Sequence, residues 1–68
     1  MIAKNLIAKI RSTKGPIYVE TFNFNDAFWV QAVKSDLIAM IQEKFALDAE
    51  TGFEVDDQGY LGKDYATA

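Results

Sequence analysis

The pattern of apolar and polar positions is clearest over residues 17–24, IYVETFNF, where β-branched and aromatic side chains predict a strand. The preceding residues 2–11, IAKNLIAKIR, fit two patterns. Their alternation predicts a strand, whereas the spacing of Leu6 and Ile10 also suits a helix. We predict a strand here, because the strand that follows needs a neighbour. Residues 12–16, STKGP, then form a hairpin loop.

A helical pattern follows this strand. Asn25 or Asp26 is a suitable N-cap, because its side-chain oxygen accepts a hydrogen bond from a free backbone N–H group. We predict one long helix from there to about Leu47. Its apolar stripe consists of Val30, Val33, Leu37, Ile41 and Phe45. An alternative stays open, in which residues 28–33 form a third strand and the helix begins at Ser35.

The remaining chain has the pattern of a second hairpin. Gly52 permits a turn, and residues 52–55, GFEV, alternate as a strand. Residues 56–59, DDQG, predict a type I turn followed by a left-handed glycine. Tyr60 and Leu61 then return beside the strand. The final residues, DYATA, are expected to be loose.

Together these elements predict the α+β class. The expected fold is a small antiparallel β-sheet in the order ββαβ, with a short fourth strand as an option, and one long helix packed on one face. Residues 1–68 are expected to form a single small domain, because this length supports only a small core. One helix covers one face of a sheet, so the other face stays open unless a partner binds it.

Composition removes several kinds of chemistry. The chain has no Cys and no His, which excludes disulfides, thiolate metal sites and the commonest general base. We therefore expect no enzyme activity, no cofactor and no metal site. The apolar runs are far shorter than the roughly 20 residues that a membrane-spanning helix needs. We expect no membrane insertion and a cytoplasmic location.

Charge is divided unevenly along the chain. Residues 1–14 carry a charge of +4 and residues 15–68 carry −7, which together give the net charge of −3. Such an imbalance influences which partners approach the molecule and from which side, but it does not determine the fold.

The predicted first hairpin offers one candidate binding surface. Side chains alternate between the two faces of a strand. With Ile10 paired opposite Ile17, aliphatic residues collect on one face and suit the helix. The other face is then mixed aromatic and basic, which is typical of a binding surface. It consists of Lys9, Arg11, Tyr18 and Phe22, next to Ile7 and Glu20.

Aromatic residues are dense in residues 22–29, FNFNDAFW. We expect Phe24 and Phe28 to belong to the core, because they flank the predicted start of the helix. For three other aromatic residues, both a core and a surface position remain open: Tyr18, Phe22 and Trp29.

The acidic turn is a second candidate surface, made of Glu54, Asp56 and Asp57. The acidic residues just before it, at 48–52, do not match the spacing of a calcium-binding loop. A solvated turn is the ordinary interpretation of such a run. An acidic docking surface, or a mimic of nucleic acid, is the functional one.

Two segments resemble a known family. GPIYVETF at 15–22 and TGFEV at 51–55 are similar to strands of the small podophage inhibitors of bacterial host RNA polymerase. The resemblance implies a non-catalytic protein that binds and blocks a host machine inside the bacterial cell. In that family, basic residues just after GFEV contact the polymerase. This chain departs from that pattern, since it has Asp56, Asp57, Gln58 and Gly59 at those positions.

The sequence therefore predicts a non-enzymatic protein-interaction module, a phage-type inhibitor of a host complex such as RNA polymerase or a defence complex. One alternative is a small nucleic-acid-binding protein, because a basic and aromatic sheet face can stack bases. Another is a structural homodimer formed through Trp29 and Ile38, since the predicted helix is apolar on more than one side.

Overall fold

The computed structural model describes residues 1–63 and contains two helices and a four-stranded sheet. In chain order the elements are α1 (Ala3–Ser12), β1 (Ile17–Asn23), β2 (Asp26–Ala32), α2 (Lys34–Lys44), β3 (Phe53–Val55) and β4 (Tyr60–Lys63). The strands are arranged as β2-β1-β4-β3. The α+β class is confirmed, but the single long helix and the ββαβ order are wrong. The predicted loose end lies outside the described residues.

The sheet is mixed rather than antiparallel throughout. β1 pairs antiparallel with β2, and β3 pairs antiparallel with β4. The two hairpins are joined by a parallel pairing of β1 with β4, in which Tyr18 lies opposite Tyr60 and Val19 opposite Leu61. The prediction of a purely antiparallel sheet is wrong, because it paired β1 with the N-terminal segment.

That N-terminal segment is the helix α1, so the predicted strand at 2–11 is wrong. Its buried residues recur at the spacing of one helical face: Ala3, Leu6, Ile7 and Ile10. Ala8, which a strand at these residues would place on the same face as Leu6 and Ile10, is exposed. Residues 12–16 therefore connect α1 to β1 and do not form a hairpin loop.

A distant loop completes the N-terminal end of α1, and a local side-chain contact completes its C-terminal end. No side chain caps its N-terminus. Instead, the N–H groups of Ala3 and Lys4 donate to the carbonyl oxygens of Ala49 and Leu47, both at 2.9 Å. At the other end, the hydroxyl of Thr13 donates to the carbonyl of Lys9 at 2.7 Å. The helix is thus stabilised by the loop between α2 and β3.

Residues 26–32 form the strand β2, as in the alternative interpretation, and the predicted helix start at Asn25 or Asp26 is wrong. Asn23 pairs with Asp26, so Phe24 and Asn25 make a two-residue turn. The turn continues the chain directly into a second strand, and α2 begins at Lys34, next to the alternative start at Ser35.

The β3–β4 hairpin confirms the prediction for residues 52–61. Gly59 has a φ of 94°, as the predicted turn requires. The Asp56 carboxylate oxygen Oδ1 accepts from the N–H groups of Gln58 and Tyr60, both at 2.9 Å. The hairpin docks on β1, where the N–H of Tyr18 donates to the carbonyl of Gly59 at 2.7 Å.

The core lies between the two helices and one face of the sheet. The sheet contributes Ile17, Val55 and Leu61, and the helices contribute Ala3, Leu6, Ile7, Ile10, Leu37 and Ile41. The expectation that Phe24 and Phe28 are core residues is wrong, since they are 97% and 43% exposed. Ile10 and Ile17 meet in the core, although not as paired strand residues.

Two glycines of the second hairpin provide a matched test of this packing. A Cβ at Gly59 would lie 2.4 Å from the carbonyl oxygen of Pro16, whereas a Cβ at Gly62 would meet nothing within 4 Å. Gly59→Ala adds a clash to an unfavourable φ, so we expect it to lower the free energy of unfolding by about 2–4 kcal/mol or to prevent folding. Gly62→Ala should change it little.

Urea denaturation followed by circular dichroism compares the two variants directly. Equal stability of the two variants would contradict the close approach of Gly59 to Pro16.

Candidate functional site

The sheet face opposite the core is covered by no helix among the described residues. We call it the open face. By the strand register it carries Tyr18, Glu20 and Phe22 from β1, Ala27, Trp29 and Gln31 from β2, Tyr60 and Gly62 from β4, and Glu54 from β3. Because the core uses the other set of alternating positions, these side chains are free for contact with another molecule.

Three aromatic rings form a cluster at the centre of the open face. The rings of Tyr18 and Tyr60, on adjacent strands, are stacked with centroids 5.1 Å apart and planes inclined by 25°. Trp29 reaches across β1, and its ring and that of Tyr60 are in a T-shaped contact, with centroids 4.8 Å apart and planes at 72°. Both arrangements are favourable for aromatic pairs. The rings therefore hold one another in position without being buried.

A groove of about 350 Å³ lies beside this cluster. It is lined by Trp29, Glu54, Asp56, Tyr60 and Gly62. Gly62 has no side chain to fill the space between β1 and β3 on this face. The groove therefore has aromatic walls, a backbone floor and carboxylates at one side.

The open face is acidic. Glu20 and Glu54 are exposed on it, and Asp56 lies next to it at the end of β3. No Lys or Arg occupies any of its positions in the described strands. The basic residues of the N-terminal segment are on α1, on the other side of the sheet. The molecule thus has a basic helix on one side and an acidic, aromatic sheet face on the other.

The predicted basic and aromatic surface is therefore divided by the structure. Tyr18 and Phe22 lie on the open face, as predicted, but Lys9 and Arg11 belong to α1 and do not lie beside them. The prediction that these four residues share one face is wrong, because it depended on a strand at residues 2–11. Of the acidic turn, Glu54 joins Tyr18 and Phe22 on the open face.

The other two residues of the acidic turn have partners within the molecule. Asp56 organises the turn through its two hydrogen bonds from backbone N–H groups. Asp57 accepts a hydrogen bond from the Lys9 ammonium, with Nζ and Oδ1 2.6 Å apart. This hydrogen bond, together with the positive charge of Lys9, lowers the pKa of Asp57 below its ordinary value. Lys9 and Asp57 therefore join α1 to the second hairpin.

The β1–β2 hairpin extends beyond the core, and every residue from 20 to 31 is exposed. Phe22 is 68% exposed on its open face. Phe24, in the turn, has a φ of 57°, which an aromatic residue rarely adopts. The prediction that Phe24 lies in the core therefore overlooked an aromatic side chain that is exposed at the tip of the β1–β2 hairpin. The turn-favouring residues Asn23, Asn25 and Asp26 were the signal that could have indicated a turn.

Tyr60 is the site residue that the sequence did not predict as such. Its alternation with Gly62 on the returning strand could have placed both on the same face as Glu54. The predicted dimer residues are not brought together: Trp29 lies on the open face, whereas Ile38 is on α2 and packs against the core. The homodimer stays a prediction.

The described residues contain no group of three or more acidic, His or Cys side chains arranged to hold a metal ion. No helix among them has the length and apolar character needed to cross a membrane.

Comparison of the chain with protein-family models, with curated proteins and with solved structures found no match. The resemblance to podophage polymerase inhibitors stays a prediction.

The Lys9–Asp57 pair leads to a pH-dependent prediction. Lys9→Met removes the hydrogen bond and the charge, so the pKa of Asp57 should rise toward its ordinary value of 3.8. Because the folded-state pKa is lowered, the pair stabilises the fold above the unfolded-state pKa, and this contribution is lost as pH falls through the folded-state pKa. NMR titration of the Asp57 carboxyl carbon measures the shift. Lys4→Met, on the same helix, should leave it unchanged.

The turn at Phe24 gives a second prediction. Phe24→Gly should raise the free energy of unfolding by roughly 0.5–1 kcal/mol, since glycine adopts a positive φ without strain and almost no buried surface is lost. Asn25→Gly is the control, because Asn25 does not have a positive φ and glycine should not stabilise it. Urea denaturation of both variants is the measurement. A loss of stability in Phe24→Gly would show that the ring contributes to the fold.

Proposed function

We propose that the protein is a non-enzymatic interaction module that binds a basic surface of a partner protein through its open face. The observation that carries this proposal is the combination of a three-ring aromatic cluster with carboxylates that have no partner among the described residues, on a sheet face that no described helix covers. Aromatic side chains are enriched in the centres of protein interfaces, and complementary charge increases the rate of association and its specificity.

Charge favours a protein partner over nucleic acid. The alternative of nucleic-acid binding depended on Lys9 and Arg11 lying beside Tyr18 and Phe22, and these basic residues are on α1 instead. Glu20 and Glu54 would repel phosphates from the aromatic cluster. A positively charged protein surface is attracted by the same carboxylates.

A phage-type inhibitor of a host complex fits this interaction. Protein surfaces that contact nucleic acid are rich in Lys and Arg. A small acidic protein that occupies such a surface competes with the nucleic acid for it. We therefore propose that the target is a nucleic-acid-binding surface of a host complex, such as RNA polymerase or a defence complex, in the bacterial cytoplasm.

The test is capture of partners from a nuclease-treated bacterial lysate with the tagged protein and two variants. Glu20→Lys reverses a charge on the open face, and Glu43→Lys makes the same change at an exposed position on α2. We expect a stoichiometric protein partner that survives nuclease and that Glu20→Lys loses at least tenfold. Glu43→Lys should retain it.

A third variant tests the contribution of an aromatic contact to capture separately from the contribution of charge. Phe22→Ala removes an exposed ring from the open face and should weaken capture, whereas Met40→Ala, an exposed apolar side chain on α2, should not. Circular dichroism of each variant establishes that it is folded. Capture that disappears with nuclease, or that is equal in Glu20→Lys and Glu43→Lys, would overturn the proposal.

A further inference from the structure

The groove beside the aromatic cluster has the features of a cation site. Trp29 and Tyr60 present rings at 72° to each other, and both line the groove. The Glu54 carboxylate lies at its side, and no described residue forms a hydrogen bond or ion pair with it. Asp56 adds a second negative charge, although its Oδ1 is engaged in the turn.

The side chains that line the groove favour a positively charged ligand. The faces of aromatic rings attract cations through their quadrupole, and Trp does so most strongly. An anion would be repelled by Glu54 and Asp56. A neutral apolar group would cover the Glu54 carboxylate without a hydrogen bond, which is unfavourable. A cation with N–H donors satisfies the rings and the carboxylate together.

We propose that this groove binds the guanidinium group of an arginine side chain presented by the partner protein, an inference that rests on the proposed function. A guanidinium is planar, is weakly hydrated, stacks on aromatic rings and donates two parallel hydrogen bonds to a carboxylate. In the groove it stacks against Trp29 and donates to Glu54, since one face of Tyr60 is already covered by Tyr18. A lysine ammonium is more strongly hydrated and offers no flat surface, so it fits this open groove less well.

Gly62 determines whether the groove exists. It follows Leu61 on β4, pairs opposite Glu54, and lies between β1 and β3. A Cβ at this position would meet nothing within 4 Å, so the space above the backbone is empty. A larger side chain here would fill the groove from the open face and leave the core on the other face unchanged. Valine is well suited to a strand, so Gly62→Val should keep the fold.

The single Trp of the chain provides the readout, since Trp29 lies in the groove. The probes are three short Gly-Ser peptides that differ only in one central residue, which is arginine, lysine or citrulline. Citrulline has nearly the shape of arginine but no charge. Trp fluorescence and the NMR shifts of the Trp29 indole N–H and the Gly62 amide follow each titration.

We expect the arginine peptide to bind in the millimolar range, the lysine peptide more weakly, and the citrulline peptide without saturation. Glu54→Gln should weaken binding of the arginine peptide about fivefold or more, and Glu43→Gln, at an exposed position on α2, should not change it. Gly62→Val should abolish binding while its melting temperature stays at or above that of the unsubstituted protein.

Several results would overturn the inference. These are no shift with the arginine peptide, equal binding of the citrulline peptide, or full binding by folded Gly62→Val. The capture experiment distinguishes failure of the arginine inference from failure of the proposed function. If Gly62→Val still captures the partner and Glu20→Lys does not, the arginine inference fails and the interaction through the open face stands. If Glu20→Lys retains the partner, the proposed function fails.

Discussion

The arrangement of this molecule depends on the docking of its second hairpin against β1. The contact is short, with two parallel residue pairs and a hydrogen bond from the N–H of Tyr18 to the carbonyl of Gly59. It is possible because Gly59 leaves room for the carbonyl of Pro16. The same pairing places Leu61 in the core and Tyr60 against Tyr18 on the open face. One backbone contact thus closes the core and assembles the aromatic cluster.

Separation of charge is the second organising feature. α1 carries basic residues and no acidic ones, and the described strand positions of the open face carry carboxylates and no basic residues. Lys9 and Asp57 connect the two sides through one exposed ion pair, which contributes little to stability at such a position. Glu20 and Glu54, on the open face, have no partner among the described residues.

The sequence predicted correctly those elements for which residue composition and turn residues indicate the same structure. β-branched and aromatic residues identified β1, and the DDQG turn identified the second hairpin together with the positive φ of Gly59. The prediction failed where two periods fit equally well, as at residues 2–11, where Leu6 and Ile10 fit both the alternation of a strand and the spacing of a helix. It also failed at Phe24, because an aromatic residue at a positive φ is rare and its apolar character suggested burial.

The sequence by itself determined the α+β class, the strand β1, the β3–β4 hairpin, and the placing of Tyr18 and Phe22 on one face with Glu20. These follow from alternation and turn chemistry, which act over a few residues. Only the tertiary structure decided which elements became neighbours. In the structure Lys9 and Arg11 lie on α1 and not on the aromatic face, whereas Tyr60 lies on that face. This arrangement follows from strand pairing and helix packing, which depend on long-range contacts that no local pattern encodes.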